Sequence, residues 1–173
     1  MLDIIECFEK RRSVRAFTDE PVPEDVIENA LLMANQAPSA GNLQARDFVV
    51  VRDEGMRAKL ADASPGHKFL MDAPVMIVCC ANLDRVIEYG PRGKDLYAIQ
   101  DVSASVENML LYITARGYGG CWIGAFDERK VADTLGLPKH VRPLTLIPIG
   151  RPMREGTKPP RVKIELLVHN ERW

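Results

Sequence analysis

The segment Pro74-Val75-Met76-Ile77-Val78-Cys79-Cys80-Ala81 carries no charged side chain over eight residues. A strand with one wet face would alternate apolar and polar residues, so this nearly continuous apolar run reads as a β-strand buried on both faces. The stretch 73–81 is far too short to span a bilayer, which takes about 20 apolar residues in a helix. The chain must therefore enclose the run in a core. With 173 residues, 46% of them hydrophobic, it is large enough to do so as one domain.

A second constraint lies between Tyr97 and Arg116. Val102, Val106, Met109, Leu110 and Ile113 form one helical stripe, while Leu111 and Tyr112 fall outside it. A helix with more than one apolar side must be central or packed on a partner subunit. Gly117-Tyr118-Gly119-Gly120 then stops it.

The remaining elements follow from spacing and punctuation. Asp3 and Glu6 resemble a capping pair, and Leu2, Ile5 and Phe8 recur at helical spacing, so a short helix ends near Lys10. Pro23 and the acids after it open a second helix with a core face of Val26, Ile27, Ala30, Leu31 and Ala34. It stops before Pro38, ahead of a strand at Phe48–Val51. Weaker helical patterns cover about 55–63 and 127–135, and a final core strand covers 144–149. Arg154 to Pro160 reads as an exposed arm. The segment 162–168 is too apolar for a free tail, which implies that the C-terminal part, about 154–173, docks on another subunit.

Composition narrows the function. The net charge is -1 and 27% of residues are charged, with no like-charge run beyond the early arginines, so neither a disordered tail nor an extended nucleic-acid surface is indicated. The N-terminus lacks an uninterrupted apolar stretch suited to export, which gives a cytoplasmic expectation. Cysteines 7, 79, 80 and 121 include no Cys-x-x-Cys pair, and the three histidines have no metal-type spacing, so the thiols read as buried and inert and no metal site is expected. There is no Gly-x-Ser-x-Gly, His-Glu-x-x-His or Walker-type loop, and no Gly-x-Gly-x-x-Gly after the first strand. An enzyme of this sequence has to borrow its reactivity from a bound cofactor.

Two segments are candidates for binding it. Lys10, Arg11, Arg12 and Arg15 crowd around Ser13, a local concentration of forked donors suited to phosphate oxygens. Pro38-Ser39-Ala40-Gly41-Asn42-Leu43-Gln44 offers backbone amides freed by a glycine plus two side-chain amides, which suit a ring with donors and acceptors. Each also has a plain structural explanation, as a solvated helix end and as a turn. An RNA-binding module would need stacking aromatics near the arginines, and only Phe17 is close.

In order along the chain, Arg-Arg-Ser-x-Arg-x-Phe at 11–17, Pro-Ser-x-x-Asn-x-Gln at 38–44, Gly-Cys-Trp-Ile-Gly at 120–124 and Ile-Gly-Arg-Pro at 149–152 resemble the nitroreductase family of flavoproteins. The resemblance implies an α+β fold, a central mainly antiparallel sheet flanked by helices, in an intertwined homodimer with FMN at the subunit interface. It implies that Arg11, Ser13 and Arg151 hold the FMN phosphate with Arg12 nearby. Arg15 would lie by the N1 and C2 carbonyl side of the flavin ring. From the second subunit, Pro38, Ser39, Ala40 and Asn42 would line the ring or ribityl chain and Gln44 its pyrimidine edge. Backbone amides of Ile123 and Gly124 would face N5 and O4. The implied activity is ping-pong hydride transfer from NADH or NADPH to FMN and on to a nitroaromatic, quinone or similar acceptor, the alternative being a flavin-binding protein without turnover. The chain departs from the pattern at Ala45-Arg46, where many family members have Pro-Trp, and in its short, polar segment 83–94.

Overall fold

The computed structural model describes residues 2–154 and 156–173. In chain order the elements are α1 (Ile4–Lys10), α2 (Glu24–Asn35), β1 (Arg46–Val51), α3 (Glu54–Asp62), β2 (Val75–Asn82), the single turn α4 (Gly90–Arg92), α5 (Ala98–Ala115), β3 (Gly119–Gly120), α6 (Glu128–Leu135) and β4 (Val141–Gly150). The four strands form one sheet in the order β1-β2-β4-β3, and every neighbouring pair is antiparallel. The α+β expectation is met.

The apolar run becomes β2, buried from Val75 to Ala81. Successive side chains of a strand point to opposite faces, so Val75, Ile77, Cys79 and Ala81 pack with Val26, Ile27 and Ala30 of α2 and Val102, Val106 and Met109 of α5. Met76, Val78 and Cys80 meet Leu60 of α3, Leu70 and Val131 of α6 on the other side. Helices therefore cover both faces, and each large side chain so enclosed contributes about 1.5–3 kcal/mol. The β2–β4 register slips between Cys79 and Cys80, whose partners are Thr145 and Pro143. Leu144 is the extra residue of a bulge there, next to a proline with no N–H to give.

Helix ends are chemically defined. At α1 the Glu6 N–H donates to Asp3 Oδ1 at 2.8 Å and the Asp3 N–H to Glu6 Oε2 at 3.1 Å, a reciprocal cap. Asp53 and Asp127 cap α3 and α6 one way only, accepting from the N–H groups of Met56 and Lys130. No helix is long and apolar enough to cross a membrane among the described residues.

The short helix expected to end near Lys10 is α1, and its apolar stripe turns away from the core: Ile5 is 62% and Phe8 51% exposed, and Cys7 is the residue of α1 that turns inward. The spacing identified an apolar face without saying what covers it, and nothing in the protomer does. The apolar C-terminal segment forms a 3-10 turn at Ile164–Leu166 and pairs with no strand among the described residues. Val162, Ile164, Leu166 and Leu167 are all exposed.

All four cysteines are buried and unpaired. Burial, together with neighbouring Cys80, pushes the Cys79 thiol well up, and burial followed by the charge of Asp47 pushes Cys80 up to about 12. Raised native values mean that the unfolded chain releases these protons first as pH rises, so stability is complete below the ordinary thiol range and falls through it. At pH 8 the native protein should leave Ellman's reagent unreacted while the denatured chain titrates four thiols, and denaturant midpoints should fall as pH rises above about 9.

Candidate functional site

The arginine segment is an extended ribbon laid on the sheet. The Val14 N–H donates to the Gly120 carbonyl at 2.9 Å, a bridge that pairs Ser13 with Gly120 in parallel, and Phe17 bridges Pro152. The approach is close: a Cβ at Gly119 would stand 2.3 Å from Val14 Cγ2, which only glycine avoids. Over residues 13–15 the side chains alternate, burying Val14 and leaving Ser13 and Arg15 exposed, and Phe17 is buried at the second bridge.

Those outward groups line a cavity of about 280 Å³ bordered by Arg11, Arg12, Ser13, Arg15, Thr157, Lys158, Pro159 and Arg161. Five cationic side chains and two hydroxyls converge with no carboxylate among the lining residues. The C-terminal arm is held there by Lys158, whose Nζ donates to the carbonyls of Phe8 at 2.7 Å and Glu9 at 2.9 Å, at the negative end of α1. Arg12 donates from its Nη1 to Lys10 O at 3.1 Å, but its Nε is buried without a partner. Arg11 leans on Glu107 at 3.3 Å. Beneath the ribbon, burial pushes the Cys121 thiol up, while Arg15 and the hydroxyl of Ser13 pull it back.

Arg151 stands apart from this cavity. It donates to Glu20 at 2.7 Å and lies over the Tyr118 ring at 4.8 Å, and both neighbours push its guanidinium pKa up, Glu20 first. Arg151 is not among the residues that line the cavity with Arg11 and Ser13, and its Nε is engaged by Glu20. Lys158 and Arg161 line it instead, and sequence reasoning missed them. The available signal was the Lys-Pro-Pro-Arg spacing within a stretch treated only as an exposed arm.

Ile123 is likewise committed. Its N–H donates to Leu146 O at 3.1 Å and its carbonyl accepts from Leu146 N and from the Thr145 hydroxyl, so its amide is not free for a ligand. Gly124 is exposed, with nothing within 4 Å of the position a Cβ would take.

The second segment is a tight loop with an uncommon backbone. Gly41, Asn42 and Gln44 have φ of 55°, 56° and 53°, and the latter two are among only three non-glycine residues with positive φ in the described chain. Such residues persist where the surroundings over-determine them. Here the Gln44 N–H donates to Ser39 Oγ at 3.1 Å, the Gln44 side chain folds back to Asn42 O at 3.2 Å, and Tyr89 presses its hydroxyl against Gly41. Arg46 is buried and donates to the carbonyls of Asn35 at 2.7 Å and Ala37 at 2.9 Å, closing the C-terminal end of α2 instead of projecting over the loop.

The two segments lie toward different ends of α5. Ala40 and Ala45 contact Asp101 in its first turn, whereas Gly120 packs on Leu110 and Ile113. Twelve residues of helix separate Asp101 from Ile113, about 18 Å at 1.5 Å per residue. The arginine cavity includes none of Pro38, Ser39, Ala40, Asn42 or Gln44.

The sequence profile described as the Nitroreductase family matches residues 8–67 and 63–151, and the chain belongs to that family. It is 33% identical to a Thermus thermophilus protein named NADH dehydrogenase over 92% of this chain and 91% of that one. It is 27% identical to a Bacillus subtilis protein named FMN reductase (NAD(P)H), across 100% of this chain and 75% of the relative. Its fold superimposes with a TM-score of 0.92 on nitroreductase A from Vibrio parahaemolyticus, at 26% identity, covering 100% of this chain and 77% of that one.

Gly41→Ala should cost about 1–2 kcal/mol, the scale of a side chain forced into the left-handed region. Chemical denaturation of the two proteins measures it, and equal midpoints would show that the loop relaxes freely.

Proposed function

We propose that the chain is an FMN-dependent NAD(P)H oxidoreductase acting as a homodimer, each flavin site joining the arginine cavity of one protomer to the Pro38–Gln44 loop of the other. The observation that carries this reading is the cavity's donor set. Five cations without a lining carboxylate, together with the unpartnered Nε of Arg12, fit a dianionic phosphate ester and fit little else of that size. The loop, with its side-chain amides and positive-φ backbone, fits the ring and ribityl parts. One protomer holds these two halves toward opposite ends of a helix, which supports assembly from two copies.

Exposed apolar surface supports the same assembly. Ile4, Ile5, Phe8, Leu32 and Met33 on α1 and α2, and Val162, Ile164, Leu166 and Leu167 on the arm, are large apolar side chains left exposed, the kind of surface that marks an interaction site. The single domain of residues 1–173, with its arm at about 154–173, is then one half of the working unit.

In this site Arg11, Arg12, Ser13, Lys158 and Arg161 bind phosphate, and Arg15 places a fixed positive charge where negative charge on the cofactor is favoured. Pro38, Ser39, Ala40, Asn42 and Gln44 orient the ring, and Gly124 leaves open space for its approach. Arg151, held by Glu20, supports the ribbon through its carbonyl, which accepts from Thr18 N at 3.0 Å. When bound, FMN supplies reversible two-electron chemistry, so NADH or NADPH is oxidised and a nitroaromatic, quinone or similar acceptor reduced in alternation. No side-chain acid or base is needed, and positioning does the rest. Arg46, one of the chain's two departures from the family pattern, is turned into the core and away from the loop, which supports catalysis over a passive carrier.

The purified protein should be yellow or should take up FMN, and anaerobic mixing with NADH or NADPH should bleach the oxidised flavin band. A protein that binds no FMN sinks the proposal, and a loaded protein bleached by neither donor leaves only the carrier reading. Arg11→Ala and Lys158→Ala should each weaken FMN binding by about 1–3 kcal/mol, the scale of a charge-assisted hydrogen bond, and Arg151→Ala by less. Fluorescence titration would reveal a reversed order.

A further inference from the structure

A buried carboxylate lies under the Pro38–Gln44 loop, and no part of the proposed reaction uses it. Asp101, in the first turn of α5, is 3% exposed. Its Oδ1 accepts from the Ala40 N–H at 3.0 Å and its Oδ2 from the Ala45 N–H at 3.1 Å. The two oxygens thus grip the loop on either side of the three positive-φ residues. The second bond exists only because residue 45 is not proline and keeps its N–H.

Carbonyls in and beside the loop are held from outside. Arg46 donates to Pro38 O at 3.4 Å and, just before the loop, to Asn35 O and Ala37 O, while Arg85 donates to Gln44 O at 2.7 Å and, just after it, to Arg46 O at 2.9 Å. Burial pushes the Arg46 guanidinium pKa down and the nearby Asp101 charge pushes it back up, so the acid offsets part of the base's desolvation. A carboxylate is costly to bury, and an ordinary turn needs none. Its placement across a strained loop is what a preset binding geometry requires.

We propose that Asp101 is a positioning residue: its carboxylate holds Ala40 and Ala45 so that the loop already has its ring-binding backbone before any ligand arrives. This rests on the flavin reading for the identity of the ligand, while the clamp itself is a property of the free protein.

The test is Asp101→Asn, which keeps the size and one acceptor but turns an NH2 toward a backbone N–H. FMN affinity is read by fluorescence titration, and the effect of inorganic phosphate on melting temperature reports the arginine cavity separately. The expected result is at least a ten-fold weaker FMN affinity with the phosphate response retained. An unchanged FMN affinity in folded Asp101→Asn overturns the proposal. Should the variant fail to fold, or lose both responses, amide hydrogen exchange on the wild-type apoprotein decides. Slow exchange at Ala40 and Ala45 supports the clamp, and exchange at the rate of free peptide refutes it. If wild-type protein binds no FMN at all, the flavin reading fails while the exchange result still judges the clamp.

Discussion

The double-sided burial of β2 is the constraint on which the rest of the structure depends. A strand with apolar residues at every position cannot tolerate water on either face, so α2 and α5 must cover one side and α3 and α6 the other. That requirement places α5 alongside the sheet with its first turn near the Pro38–Gln44 loop and its far end near Gly120. The same burial accounts for the suppressed acidity of Cys79 and Cys80.

From this frame the two halves of the site acquire different characters. The arginine ribbon is held by sheet-like bonds to Gly120 and Pro152, which point alternate side chains outward, and its positive charge gathers by convergence of two distant parts of the chain. The amide loop is instead held by charged side chains, Asp101 against the N–H groups of Ala40 and Ala45 and Arg46 and Arg85 against the carbonyls of Pro38 and Gln44. One half is an electrostatic trap and the other a preset shape. A cofactor with a charged tail and a polar ring needs both.

Much of this was legible from local pattern. The capping pair at Asp3 and Glu6, the core face Val26, Ile27, Ala30 and Ala34, and the apolar stripe of α5 all follow from spacing, and each stands in the structure within a residue or two. Local pattern failed where partners are distant. The arginine in the Ile-Gly-Arg-Pro motif resembled a phosphate ligand, yet Glu20, far away in sequence, engages its Nε. Arg46 stood out only as a departure from the family pattern, and the three backbone carbonyls that draw its fork inward were not visible in one dimension. Lys158 and Arg161 were passed over because the Lys-Pro-Pro-Arg spacing that carries them stands in a polar stretch that reads as an exposed arm.

The sequence by itself determined which segments are helix or strand, that the core is built around residues 75–81, that the thiols are buried, and which family the motifs resemble, because these depend on hydrophobic periodicity, caps and short-range order. Tertiary structure alone decided which cations share a cavity, which amides are already bonded, and what Asp101 touches. Those outcomes depend on competition among groups brought together from separate parts of the chain, and each donor can satisfy only the partners that the fold sets within reach.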